Sequence, residues 1–119
     1  MAIPGYQDLM LPLLELGAQR ALPAREAVDL MADRFKLTDE ERESLLPSGK
    51  QTFIFNRTNW ALTYLAKAGL ISRPRRGWFE ATDEGRRLLT SPPARIDVAY
   101  LQRFDAVRAF TRPSDPASR

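Results

Sequence analysis

The tetrad Pro74-Arg75-Arg76-Gly77 lies between two short runs, Leu70 to Arg73 and Trp78 to Ala81, and follows a long apolar-periodic segment that stops at Gly69. Proline presets φ for an early turn position and glycine supplies a left-handed one, so the tetrad reverses the chain and its flanks read as a β-hairpin. Gly69 stands where a helix takes its C-terminal glycine. A long helix therefore passes through one glycine into a tight, basic hairpin.

The remaining segments read as helices. From about Tyr6 to Ala18, Leu9, Met10, Leu13, Leu14 and Leu16 recur at helical spacing, with Asp8 and Glu15 on the other side. Pro12 falls inside this run and is expected to bend or restart it, because it removes an internal hydrogen bond. A second helix is expected from about Pro23 to Phe35, with Ala24, Val28, Met31 and Phe35 inward. Thr38 with Glu41 fits a capping box and starts a short helix over about residues 39 to 45. Leu46-Pro47-Ser48-Gly49 then stops it, and the long helix runs from about Lys50 to Lys67. After the hairpin, Thr82 and Asp83 can cap a helix through Leu89, ended by Ser91-Pro92-Pro93. The fold class is thus mainly α with a small β-hairpin. Helices, a basic helix, a strand, a basic turn and a second strand make the order of a winged helix, a helix-turn-helix variant.

Composition narrows the chemistry. The 119 residues contain no cysteine and no histidine, which excludes thiolate nucleophiles, Ser-His-Asp machinery, imidazole acid-base work and the usual zinc ligands, so no cofactor is expected. The opening MAIPGYQDLM has neither the basic nor the apolar region of a signal peptide, and no later run reaches the length of a membrane span. A cytoplasmic site with no membrane partner is the expectation. The net charge of +3 is unevenly spread: residues 1 to 44 hold five Lys/Arg against nine Asp/Glu, residues 45 to 79 hold six against none, and residues 80 to 119 hold seven against six. Thirty-five consecutive residues with six cations and no carboxylate suit a polyanion-binding surface.

That surface can be resolved by stepping about 100° per residue along the long helix. Ile54, Ala61, Leu65 and Ala68 form an apolar stripe, and Thr52, Asn56, Asn59, Thr63 and Lys67 a polar one elsewhere on the helix. Asparagine can pair with adenine N6 and N7 together, and threonine offers a hydroxyl and a methyl, so Gln51, Thr52, Asn56 and Asn59 are the candidates for reading base edges in duplex DNA. Lys50, Thr63 and Lys67 are the candidates for phosphate, joined by Ser48 and Gly49 if their amides face an anion at the helix entrance. Arg57 has two readings, a DNA contact or a pairing with a carboxylate of the acidic first 44 residues. Trp60, Tyr64, Phe53 and Phe55 are expected to pack. Arg73, Arg75 and Arg76 at the hairpin tip suit phosphate or a minor groove, and Trp78 suits an anchor on the core.

The run LPSGKQTFIFNRTNWALTYLAKAGLISRPRRGWFEATDEGRRLL, residues 45 to 89, resembles the N-terminal domain of Mrr-type restriction endonucleases, and IPGYQDLMLPLLEL, residues 3 to 16, resembles that family's opening. The specific elements are Pro47-Ser48-Gly49, Arg57 with Trp60-Ala61, Ala68-Gly69-Leu70, and Arg76-Gly77 followed by Thr82 and Gly85. The resemblance implies a winged-helix specificity domain for double-stranded DNA, joined in the full-length protein to a nuclease that cuts DNA bearing methylated bases. No carboxylate-plus-lysine cluster follows the domain, and lysine occurs at positions 36, 50 and 67 alone, so this chain is expected to bind and not to cut, as a fragment or a truncated member.

The organisation expected is a DNA-binding domain over residues 1–91 and a linker over 92–119. Within the linker, Tyr100, Leu101, Phe104, Val107 and Phe110 suggest an amphipathic helix over about 97–110 that needs a partner surface, and TRPSDPASR reads as a disordered end. A free-standing transcription regulator that forms a homodimer through that helix is the competing reading. A winged helix used for protein contacts is a third.

Overall fold

A computed structural model describes residues 3–110; the expected disordered end, 111–119, lies outside the described residues. The elements in chain order are α1 (Tyr6–Gln19), β1 (Leu22–Pro23), α2 (Ala24–Arg34), α3 (Asp39–Glu43), α4 (Phe53–Lys67), β2 (Ile71–Ser72), β3 (Trp78–Ala81), α5 (Asp83–Leu89), α6 (Val98–Leu101) and α7 (Asp105–Phe110). The fold is mainly helical with a small antiparallel sheet, compatible with a winged helix.

The core forms where α4 meets α1 and α2. Ile54, Ala61, Leu62 and Leu65 of α4 are buried together with Leu9, Met10, Leu13 and Leu14 of α1 and Ala27, Val28 and Met31 of α2. Helix α1 runs unbroken through Pro12. The apolar residues on both sides of the proline are buried in one core, and this packing outweighs the single lost hydrogen bond. Thr38 and Glu41 form the expected reciprocal cap: Glu41 N donates to Thr38 Oγ1 at 3.1 Å and Thr38 N donates to Glu41 Oε1 at 2.8 Å. Helix α3 nevertheless ends at Glu43, short of the expected 45, because Leu45 pairs with Thr52 in an isolated bridge.

Helix α4 begins at Phe53, three residues later than expected, and Thr52 is its N-cap. At its other end Leu70 N donates to Leu65 O and Gly69 N to Ala66 O, both at 3.0 Å, with Gly69 at φ +78°. This 6→1 and 5→2 pair is the Schellman termination, and it needs a residue that tolerates the left-handed region.

The hairpin forms as expected, with Ile71 opposite Ala81 and Ser72 opposite Glu80. It also gains a third strand. β1 pairs with β3 on the other side, Leu22 opposite Phe79 and Pro23 opposite Trp78, so that β3 is central. Two residues carry no periodicity, and a proline is tolerated because β1 is an edge. Ala24 N donates to Gly77 O at 2.7 Å, tying the start of α2 to the turn. The hairpin's anchor is Phe79, fully buried, rather than the half-buried Trp78.

The segment after α5 also departs from expectation. In place of one amphipathic helix over about 97–110 there are two short ones, and Ile96, Leu101 and Val107 are fully buried in the domain's own core. Leu101 and Val107 of the expected apolar face are thus covered in cis, while Tyr100, Phe104 and Phe110 stay half-buried. Polar groups of α1 hold this strap down: Asp8 accepts from Arg95 Nη1 at 2.7 Å and Gln7 Oε1 accepts from Val98 N at 2.8 Å. Asp97 caps α6 by accepting from Tyr100 N at 2.8 Å, and this bond, with Arg95 beside it, holds its carboxyl below the usual aspartate range.

Two variants test this packing. Leu101→Ala should lower unfolding free energy by about 2–5 kcal/mol in a urea titration, as for a buried leucine; an unchanged midpoint would mean that the strap does not belong to the core. Helix α5 crosses so close to Leu70, the residue before β2, that a Cβ on Gly85 would lie 2.2 Å from the Leu70 carbonyl oxygen. Gly85→Ala should therefore cost about 1–3 kcal/mol despite alanine's better helix propensity, and a rise in Tm would contradict that approach distance.

Candidate nucleic-acid interface

With Ile54, Thr58, Ala61, Leu62 and Leu65 buried, the opposite side of α4 faces solvent. Asn56, Trp60, Thr63 and Lys67 fall on that side, flanked by Asn59. The structure brings these residues together with Gln51, which precedes the helix.

The amide and hydroxyl candidates each have an internal bond. Asn56 Nδ2 donates to Gln51 Oε1 at 3.0 Å, so the two amides stand as a pair on the surface. Asn59 Nδ2 donates to Phe55 O at 3.0 Å and Thr63 Oγ1 to Asn59 O at 2.9 Å, which leaves the Asn59 side-chain oxygen and the Thr63 methyl for outside contacts. Thr52 is more fully engaged: its Oγ1 accepts from Phe55 N at 3.2 Å as the helix cap.

Two expected positions are turned to structural use. Arg57 reaches across to the chain's opening, where its Nη1 donates to Ile3 O at 3.1 Å and to Pro4 O at 3.2 Å, with the guanidinium 4.9 Å from the Phe53 ring. The acceptors are backbone carbonyls of the opening segment, in place of the expected carboxylate. Gly49 sits in a turn with φ +73°, and its N–H donates to Leu46 O at 2.8 Å. Ser48 Oγ accepts from Lys50 N at 3.4 Å. Because the helix begins later than expected, this turn is not its entrance, although Ser48 and Lys50 remain exposed.

The aromatic residues divide. Tyr64 stacks on Tyr6 at 5.6 Å and meets Phe110 edge-on at 5.3 Å, and burial first, then Tyr6, raises its phenol above the ordinary value. Trp60, expected to pack, is 47% exposed. Its position was legible on the helical wheel: four residues from Asn56, it lies only about 40° away around the axis. Phe110, from α7, joins Gln51, Asn56, Asn59, Trp60 and Thr63 around a depression of about 410 Å³. Its ring also lies 5.3 Å from Lys67 Nζ. No pattern in the sequence linked residue 110 to this face, since the contact arises from how the strap folds back.

The hairpin presents Arg73, Arg75 and Arg76 exposed, with the Arg75 guanidinium 4.0 Å from the Trp78 ring. The ion pairs seen among the described residues take their cations from outside residues 45 to 79: Arg20 with Glu26, Arg34 with Glu15, Arg42 with Asp33, Arg87 with Glu84, Arg95 with Asp8 and Asp97, and Arg108 with Asp105. A depression of similar size beside α3 is lined by Thr38, Glu40, Glu41 and Ser44, the wrong sign for a polyanion. Among the described residues no group of three or more Asp/Glu could hold a metal, and no helix is long and apolar enough to cross a membrane.

Fold and surface together define a small helical domain with a basic hairpin beside its longest helix. The model of the Mrr N-terminal domain matches residues 6–91, and the chain belongs to that family, a module of restriction-system proteins that is itself non-catalytic. No curated protein and no solved structure matches the chain.

Because Arg57 ties α4 to the opening segment, Arg57→Ala should cost stability, about 1.5–3 kcal/mol for hydrogen bonds from a charged donor. Chemical denaturation measures it; an unchanged midpoint with lost DNA affinity would instead return Arg57 to the binding face.

Proposed function

We propose that this domain is the double-stranded-DNA-binding specificity module of a modification-dependent restriction system, acting on methylated DNA. The observation that carries the reading is the half-buried pair of amides on the outward face of α4, in a stretch, residues 45 to 79, that holds six cations and no carboxylate. A helix of this kind fits the major groove, where amides address base edges, while exposed arginines of a hairpin tip neutralise phosphates and release counterions. Asn56, paired with Gln51, is the leading base reader, with Asn59 beside it through its free oxygen. Thr52 contributes by fixing the start of the helix. Arg73, Arg75, Arg76, Lys50 and Lys67 supply phosphate contacts, with Ser48 and Thr63 at the margins. The regulator that dimerises through its last helix is disfavoured, because Ile96, Leu101 and Val107 are already buried within one chain.

Binding to matched duplexes, unmodified, adenine-methylated or cytosine-methylated, at several salt concentrations tests the reading. Steep salt dependence with tighter binding to a methylated duplex is expected, and salt-independent binding would refute a DNA module. Replacing Arg75 and Arg76 by alanine should weaken all duplexes alike and lower the salt slope by about 2, whereas Asn56→Ala should cost about 1–3 kcal/mol on preferred sites and little elsewhere. Uniform loss in both variants would contradict this division of labour.

A further inference from the structure

The α4 face contains one group that amide readout leaves unexplained. Trp60 stands 47% exposed between Asn56 and Lys67, although the core beneath α4 is closed by other residues. The indole stands at the centre of a surface otherwise lined by the amides of Gln51, Asn56 and Asn59 and the hydroxyl of Thr63. Beside it Phe110 closes one side of the depression, so an apolar patch made by two distant segments is set among Asn56, Asn59 and Thr63.

In the major groove the apolar group that a base presents is the methyl on C5 of a pyrimidine, which stands out from the edge while the neighbouring positions offer hydrogen-bond donors and acceptors. An apolar seat bordered by amides is complementary to that combination. The depression is open on its outer side, as befits a group approached from the groove rather than a base drawn out of the helix, which needs a closed pocket. We infer that Trp60, with Phe110, seats a pyrimidine C5-methyl group and is a specificity-determining residue of this face. The inference rests on the DNA-binding reading and deepens it. It makes the α6–α7 strap part of the reading surface, because Phe110 belongs to α7.

The test uses the full chain and random-sequence duplexes synthesised with either thymidine or deoxyuridine, which differ by that methyl alone, with a third pool carrying 5-methylcytosine in place of cytosine. Wild-type protein is expected to bind the thymidine pool more tightly than the deoxyuridine pool, by about fourfold for each methyl that becomes buried, and to gain again on the 5-methylcytosine pool. Trp60→Ala should abolish these differences while keeping the salt-dependent component, Trp60→Phe should retain part of them, and Phe110→Ala should reduce them. Equal wild-type affinity for thymidine and deoxyuridine pools, with binding still salt-dependent, overturns the methyl seat alone. A methyl preference that survives Trp60→Ala overturns it too. Absence of salt-dependent binding to every pool overturns the DNA reading and this inference with it.

Discussion

The seating of α4 against α1 governs the rest of the structure. An α-helix has one continuous surface, and burying a stripe of it fixes which residues are left outside. Here Ala61 is fully buried at the middle of the stripe, small enough for the helices to approach, while Leu62 and Leu65 fill the space beside it. Thr58 lies in the same stripe, and its hydroxyl is buried without a partner, a cost that the surrounding apolar packing outweighs. Once this contact is made, Asn56, Trp60, Thr63 and Lys67 have no choice but to face outward. Arg57 locks the arrangement from the flank by holding the carbonyls of Ile3 and Pro4, which keeps the opening segment against α4.

Charge separation complements this packing. Outside residues 45 to 79, several arginines are paired with carboxylates, as in the Arg42 pair with Asp33 at 2.9 Å. Such exposed pairs contribute little to stability. Their consequence is one of charge placement: these pairs set cation beside anion, while the acid-free residues 45 to 79 put Arg73, Arg75 and Arg76 at the hairpin tip and Lys67 on α4. Within the hairpin, the Arg75 guanidinium resting over Trp78 keeps its charge at the surface while the ring covers its apolar plane.

Much of this was readable residue by residue. The stripe Ile54, Ala61, Leu65 and Ala68, the capping box of Thr38 and Glu41, the stop at Gly69 and the reversal at Pro74 to Gly77 all depend on neighbours within a few positions, which local periodicity and turn chemistry report. Three features were not readable. β1 exists because β3 offers it an edge, Arg57 bonds carbonyls more than fifty residues away, and the strap over 95–110 breaks in two to follow a surface made by α1 and α4. An amphipathic pattern states that a face must be covered, and it is silent about what covers it.

The amino-acid sequence by itself determined the helical class, the basic hairpin, the segregation of charge and membership of the Mrr N-terminal domain family, because each follows from local spacing or from residue identity in order. Tertiary structure alone decided that Trp60 is left half exposed, that Thr52 caps α4 and Arg57 bonds the opening segment, and that Phe110 comes to lie beside the α4 face. The physical reason is that a side chain's environment depends on which distant elements occupy the space around its helix. That assignment is settled by competition for a single core and is not written in any short stretch of the chain.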